Sequence, residues 1–120
     1  RHYDGTIRVD EYLRVVDHPG VWAIGDITDV RESKRADAAR AHARVVASNI
    51  ADMIAGREPS ATYAPGTERI ILPLGPDGGA SQILLDGVRV VVGPEETSKI
   101  KGEDLFLCFI RQELGVESEA

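Results

Sequence analysis

The chain has 120 residues, 42% of them hydrophobic, and 14 Lys and Arg against 20 Asp and Glu, a formal net charge of −6 with His neutral. That suits about one small domain with a modest core, and an acidic balance without a basic cluster argues against nucleic acid or an anionic membrane as a direct partner. A single cysteine, Cys108, excludes a disulfide framework and a Cys-x-x-C redox pair, and no apolar run approaches the roughly 20 residues that span a bilayer.

In chain order, Ile7 to Val9 and Leu13 to Val16 alternate apolar with polar around Asp10-Glu11. This predicts a short antiparallel hairpin with one covered face. Asp17-His18-Pro19-Gly20 is a turn cluster, with His18 a solvated turn residue. The run Val21-Trp22-Ala23-Ile24 then leads into Gly25-Asp26, and a continuous apolar run bounded by turn residues reads as a strand buried on both faces. Gly25 lets the backbone turn tightly and approach a ligand. Asp26 falls at the strand's carboxyl end, where open α/β sheets place their ligands and a carboxylate can accept hydrogen bonds from sugar hydroxyls. The competing account is a plain strand-ending turn in which Asp26 caps its own backbone.

Beyond the loop Thr28–Ser33, apolar residues recur at Ala39, Ala43, Val46, Ala47, Ile50, Met53 and Ile54, the spacing of one helical stripe. Ser33 is the expected amino cap, Asp37 complements the dipole, and Gly56 supplies a left-handed stop. Alanines at 36, 38, 39, 41 and 43 let a flat ring or a strand come close; they also simply favour helix. His42, about two turns in, reads as a satisfied structural residue before a ring or quinone contact. A Pro- and Gly-punctuated linker follows. Arg69–Leu74 and Ser81–Leu85 flank the glycine-rich turn Gly75–Gly79, and Gly87 opens a third strand, Val88–Val92, giving a small antiparallel sheet. That turn joins strand to strand, so it reads as a hairpin turn and not a phosphate cradle. Apolar residues from Thr97 to Leu114 predict one or two short helices on the sheet, with Cys108 a buried, inert thiol between Leu107 and Phe109. Glu117–Ala120 should fray. No G-x-G-x-x-G fingerprint, metal-ligand spacing or nucleophile elbow is present, and no residue is assigned as catalytic.

The run Val21–Asp26 resembles the last FAD-contacting motif of the pyridine-nucleotide oxidoreductases, V-(Y/W)-A-(I/L)-G-D, and Gly5–Val15 looks like the hairpin before it. Lys34, Ala36, Ala41-His42-Ala43, Ala47-Ser48-Asn49-Ile50, Tyr63-Ala64-Pro65-Gly66, Leu72, Gly75, Gly79, Gln82-Ile83 and Asp104-Leu105-Phe106 are similar, in order, to the ferroptosis-suppressor and apoptosis-inducing-factor-like branch. The Cys pair and the carboxyl-terminal His-Glu pair of the disulfide-reductase branch are missing.

The resemblance implies an α/β class. Residues 1–56 would be the end of an FAD-binding Rossmann-like domain (hairpin, strand, long helix), 57–68 a linker, and 69–120 a small α+β carboxyl-terminal domain with an antiparallel sheet. It implies FAD as cofactor, NAD(P)H as cosubstrate and a quinone-like electron acceptor. By family match, Asp26 binds the ribityl chain, flanked by Gly25 and Ile27. Lys34, Arg35 and Ala36 would place a positive helix end beside the flavin, whose reduced form tends towards an anion; a solvated Lys34 is the alternative. Because the sequence opens on Arg1 and not Met, it reads as the carboxyl-terminal portion of a longer flavoprotein, expected to be colourless and inactive alone. A cytoplasmic setting, peripheral to a membrane at most, is the expectation. Two rivals stay open. One is a non-catalytic module that forms a homodimer through its sheet edges, and the other is part of a ferredoxin reductase.

Overall fold

A computed structural model describes residues 5–116; the expected fraying of 117–120 lies outside the described residues. The chain divides into two compact units, one ending at Gly66 and one starting at Thr67.

In the first unit, short extended pieces are stitched by single bridges. Val9 faces Val15 and Arg14 faces Trp22 antiparallel, while Ile7 faces Thr28 in parallel. Side chains do much of the stitching. Asp10 Oδ1 accepts the backbone N–H groups of Tyr12 and Arg14, each at 2.9 Å, which forms the hairpin turn. Leu13 is thereby held at φ 63°. The left-handed region costs an L-residue about 1–2 kcal/mol. Burial of its side chain, here 1% exposed, offsets that by about 1.5–3 kcal/mol. Asp29 Oδ1 likewise accepts the N–H of Val9 at 3.0 Å.

The expected strand Val21–Ile24 is corrected here. Only Ala23 of this run is buried; Val21 is 50% and Ile24 42% exposed, so neither face is fully covered in this chain. The backbone leaves extended geometry at Gly25, where side chains and not a ladder take over the pairing.

Helix α1 spans Ala36–Ile54. The expected Ser33 cap does not form: Arg35 is the residue before the first turn, extended and without a side-chain cap bond. Asp37 does lie in the first turn, and Gly56, at φ +72°, follows the last. The buried row is His42, Val46 and Asn49. Of the expected apolar stripe only Val46 is buried, whereas Ile50, Met53 and Ile54 are exposed. Polar side chains with fixed partners, not the greasiest stripe, decide which face this helix turns to its own unit.

The second unit is more regular. Strands β1 (Ile70–Leu74), β2 (Gly78–Leu85) and β3 (Val88–Val92) form an antiparallel meander in that order, with Leu72 opposite Ala80 and Ile83 opposite Val90. Asp86 and Gly87 join β2 to β3 with both φ angles positive, 49° and 81°, as a tight two-residue hairpin requires. Helix α2 (Pro94–Lys101) begins on a proline, carries Glu95 and Glu96 in its first turn and Lys99 and Lys101 in its last, and so matches its own dipole. It packs on β2 through the buried pair Ser81 Oγ and Thr97 Oγ1, 2.9 Å apart. The buried Lys101 Nζ and Ser98 Oγ both donate to the Pro76 carbonyl, which ties the β1–β2 turn to the helix.

Helix α3 spans Leu107–Glu113. Cys108 is exposed there, against expectation. Asp104, rather than burial, keeps its thiol protonated: the carboxylate hydrogen-bonds the thiol and pushes its pKa up, while Asp104 Oδ2 also accepts the Cys108 N–H at 2.8 Å. Among the described residues no helix is long and apolar enough to cross a membrane. Three helices and a three-stranded antiparallel sheet make the class mixed α and β.

Candidate functional site: the Gly25–Ile27 turn against helix α1

Gly25–Ile27 form one turn of 3-10 helix between extended Ile24 and Thr28. Gly25 sits at φ +73°, and a Cβ added there would lie 3.6 Å from that of Ala39, an ordinary contact. The dihedral, not lack of space, therefore calls for glycine. Thr28 is fully buried and closes the turn, its N–H and Oγ1 both donating to the Gly25 carbonyl at 3.2 and 2.9 Å. Asp26 and Ile27 are left exposed on the turn.

Lys34 folds back over the loop between turn and helix. Its Nζ donates to the carbonyls of Thr28, at 2.9 Å, and Val30, at 2.8 Å. Two of its three protons are committed to backbone. Arg35 and Ala36 then lead into α1.

The turn is held from behind. The Gly25 N–H donates to His42 Nδ1 at 3.0 Å, and His42 is 1% exposed. Because Nδ1 accepts, the ring's proton belongs on Nε2. Nε2 lies 2.8 Å from Glu32 Oε1, close enough for the carboxylate charge to act on it, although the two atoms are not aligned as a regular hydrogen bond and neither has a hydrogen-bond partner elsewhere. The other carboxylate oxygen, Oε2, accepts the Tyr63 hydroxyl at 2.5 Å. The Tyr63 and His42 rings meet edge to face, 4.2 Å between centroids and 85° between planes. Burial first, then the bond to Glu32, raises the Tyr63 pKa well above its usual value, so this hydroxyl stays a donor.

About two turns further along α1, Asn49 braces the chain after the helix. Its Oδ1 accepts the N–H groups of Ser60, at 3.1 Å, and Ala61, at 2.9 Å, while Nδ2 donates to the carbonyl of Ala61 at 2.9 Å. A cavity of about 340 Å³ opens near the helix's carboxyl end, lined by Arg14, Trp22, Met53, Arg57 and Glu58 among others, and touches none of the turn residues. No group of His, Cys, Asp and Glu among the described residues could hold a metal ion.

The six residues singled out by sequence thus fall into two short segments, Gly25–Ile27 and Lys34–Ala36. The turn packs on the first half of α1. Asp26 is not buried, and Lys34 is bonded to the loop carbonyls. Glu32 was not singled out by sequence, and Tyr63 entered only as part of the family match, with no role assigned. They are 31 positions apart, and neither has a local pattern that announces the other.

No protein-family model matches the chain. Ferroptosis suppressor protein 1 of Homo sapiens is 40% identical over 103 residues, covering 86% of this chain and 26% of that protein. An FAD-dependent oxidoreductase of Flammulina velutipes is 31% identical over 114 residues, 93% of this chain and 35% of that protein. Apoptosis-inducing factor homolog A of Dictyostelium discoideum is 36% identical over 81 residues, 66% of this chain and 20% of that protein. The chain therefore spans about a fifth to a third of the length of these relatives. With most of its residues aligned to proteins of this one kind, the chain belongs to the family of the ferroptosis suppressor and apoptosis-inducing-factor-like oxidoreductases and matches a carboxyl-terminal portion of them.

Proposed function

We propose that this chain is the part of an FAD-dependent NAD(P)H oxidoreductase that holds the sugar-alcohol arm of FAD, in a protein that passes electrons to a quinone-like acceptor. The observation that carries the reading is an exposed carboxylate, Asp26, on a turn fixed against the first half of a 19-residue helix. The relative from Flammulina velutipes is named as FAD-dependent, which supports the cofactor.

The donor set fits the group. Ribityl hydroxyls are donors that need an acceptor, and Asp26 offers two carboxylate oxygens on exposed backbone. The small side chains of Ala36, Ala38 and Ala39 leave room for a flat ring above the helix start. Lys34 acts here mainly through its charge and its third proton, since its other two are bonded to Thr28 and Val30. Its ammonium and the positive helix end would favour an anionic ring. Flavin, when bound, supplies the electron transfer between nicotinamide and acceptor. The chain's residues bind and orient it and bias its charge. In the same reading, residues 1–56 end an FAD-binding domain and residues 69–120 form the small domain that follows it in sequence.

Asp26→Ala in the flavoprotein that carries this chain tests the assignment. Loss of a charged hydrogen bond costs about 1.5–3 kcal/mol, so FAD should bind about 10- to 150-fold more weakly. Flavin absorbance retained by the variant after gel filtration at the wild-type level removes Asp26 from the site.

A further inference from the structure

We infer that Glu32, His42 and Tyr63 form a tautomer-setting brace that fixes the Gly25 N–H, and through it the turn presenting Asp26. This rests on the proposed role of Asp26. The brace itself stands on geometry and can be tested apart from flavin.

A neutral imidazole has one N–H and one acceptor nitrogen, and the hydrogen bond at one nitrogen selects which is which. Here Nδ1 must be the acceptor, because it faces the backbone N–H of Gly25 at 3.0 Å. The other tautomer would set N–H against N–H at a site 1% exposed, where bulk solvent does not reach to relieve it. Glu32 selects the working tautomer. Its Oε1, 2.8 Å from Nε2, offers only lone pairs and so demands a proton on that nitrogen. Tyr63 aims the carboxylate by donating to Oε2 and braces the imidazole with its ring edge.

The chain of bonds ends on a peptide N–H, which does not release its proton. It therefore cannot serve as a proton path to a ligand. What it transmits is position. Gly25, at φ +73°, is the most conformationally free residue of the turn, and the N–H that His42 holds belongs to it. Asp26 is the next residue along.

Glu32→Gln is the informative variant, because it keeps shape and volume but can turn its NH₂ towards Nε2 and so favour the wrong tautomer. The measurement is ¹⁵N NMR of the intact flavoprotein that carries this chain, labelled at His and Gly. In the wild type, His42 should show an unprotonated Nδ1 and a slowly exchanging Gly25 amide. In E32Q the ring nitrogens should exchange roles, or Gly25 amide exchange should accelerate about tenfold or more. FAD affinity should fall about tenfold, the range seen when a group that orients a ligating residue is lost. Tyr63→Phe should give a smaller loss in the same direction. His42→Asn, whose Oδ1 can replace Nδ1 as acceptor, should restore Gly25 protection that His42→Ala loses. A merely space-filling histidine predicts no such rescue.

A protonated Nδ1 in the wild type, or unchanged Gly25 exchange in both E32Q and H42A, overturns the brace. If Asp26→Ala loses flavin while E32Q and H42A keep it, the brace does not position the site and the inference fails while the functional reading survives. If Asp26→Ala also keeps flavin, the functional reading fails, and the Gly25 exchange rates alone decide the brace.

Discussion

The two units of this chain are ordered by different means. From Thr67 onward a backbone ladder does the ordering: three strands in sequence, paired residue by residue, with a helix laid on β2. Before Gly66 the extended pieces share isolated bridges and scattered backbone bonds instead of a continuous ladder, and polar side chains add to the pairing: Asp10 within its own turn, and Asp29, His42 and Asn49 across 11 or more positions, accept hydrogen bonds from backbone N–H groups. A ladder spreads its cooperativity over many equivalent bonds. A side-chain network concentrates it in a few residues. Single substitutions should therefore hurt more in the first unit, and hurt in a way that disturbs the turn carrying Asp26.

Asn49→Ala probes that contrast most strongly. It would leave the N–H groups of Ser60 and Ala61 without their acceptor around a residue with no exposed surface. These N–H groups are part-buried, and an orphaned group costs about 1–3 kcal/mol when fully shielded, so a loss of about 2–4 kcal/mol for the pair is expected in urea unfolding monitored by circular dichroism. A loss below about 1 kcal/mol would mean water replaces the amide easily, and the first unit would not depend on it.

The largest expected effect in the second unit has a different origin. A Cβ on Gly79 would stand 2.5 Å from the Leu72 carbonyl oxygen and 2.7 Å from Thr97 Cγ2, at φ +138°. Crowding of this kind costs about 1–3 kcal/mol. Gly79→Ala should lower stability accordingly and spread its damage over β1, β2 and α2 together, read as faster amide exchange in all three. Confinement of the change to residues 78–80 would contradict a cooperative ladder.

These two residues also show what sequence reading can reach. The meander was legible because its signals are local: Gly-Pro-Asp-Gly-Gly between apolar runs, then Gly87 before the valine-rich run Val88–Val92. Helix α1 was legible for the same reason, through its periodicity and Gly56. Its inward face was not. The buried row is His42, Val46 and Asn49, and two of those three owe their burial to partners at Glu32, Tyr63, Ser60 and Ala61, which no periodicity reveals. The Gly25-Asp26 turn was found through family resemblance, and its left-handed glycine fits the reading. The expectation that Val21–Ile24 is covered on both faces failed because this chain supplies no second layer over Val21 and Ile24. Cys108 failed similarly: apolar neighbours in sequence are exposed on α3, at 47% for Leu107 and 46% for Phe109.

A smaller effect tests whether the second unit holds any network of its own. Ser81 and Thr97 share one buried hydrogen bond at 2.9 Å between β2 and α2. Ser81→Ala should cost about 1–2 kcal/mol by leaving the Thr97 hydroxyl unpaired. Ser81→Ala with Thr97→Val removes both polar groups and should recover much of that loss. A double-mutant cycle with no coupling energy would show the pair to be incidental to the packing of α2.

The smallest effect concerns charge. Hydrogen bonds from Arg57, then from Ser60, hold the Asp52 carboxyl below its ordinary pKa. The Arg57 Nη2 lies 2.6 Å from Oδ1 and the Ser60 Oγ 3.1 Å from Oδ2. A carboxyl with a lowered folded-state pKa contributes stability that is present above its unfolded pKa and is lost as pH falls through the folded value. The wild type should thus exceed Asp52→Asn in Tm at neutral pH by a small margin, and that margin should shrink only below about pH 4, the ordinary carboxylate range. The contrasting pair is Glu95–Lys99 on α2, at 2.8 Å with both side chains exposed by more than two-thirds. Surface pairs of this kind contribute little. Glu95→Gln should leave Tm unchanged across the same pH range. If both variants behave alike, the pairing of Asp52 with the end of α1 is no more than a surface contact, and the first unit rests on its buried amide and imidazole alone.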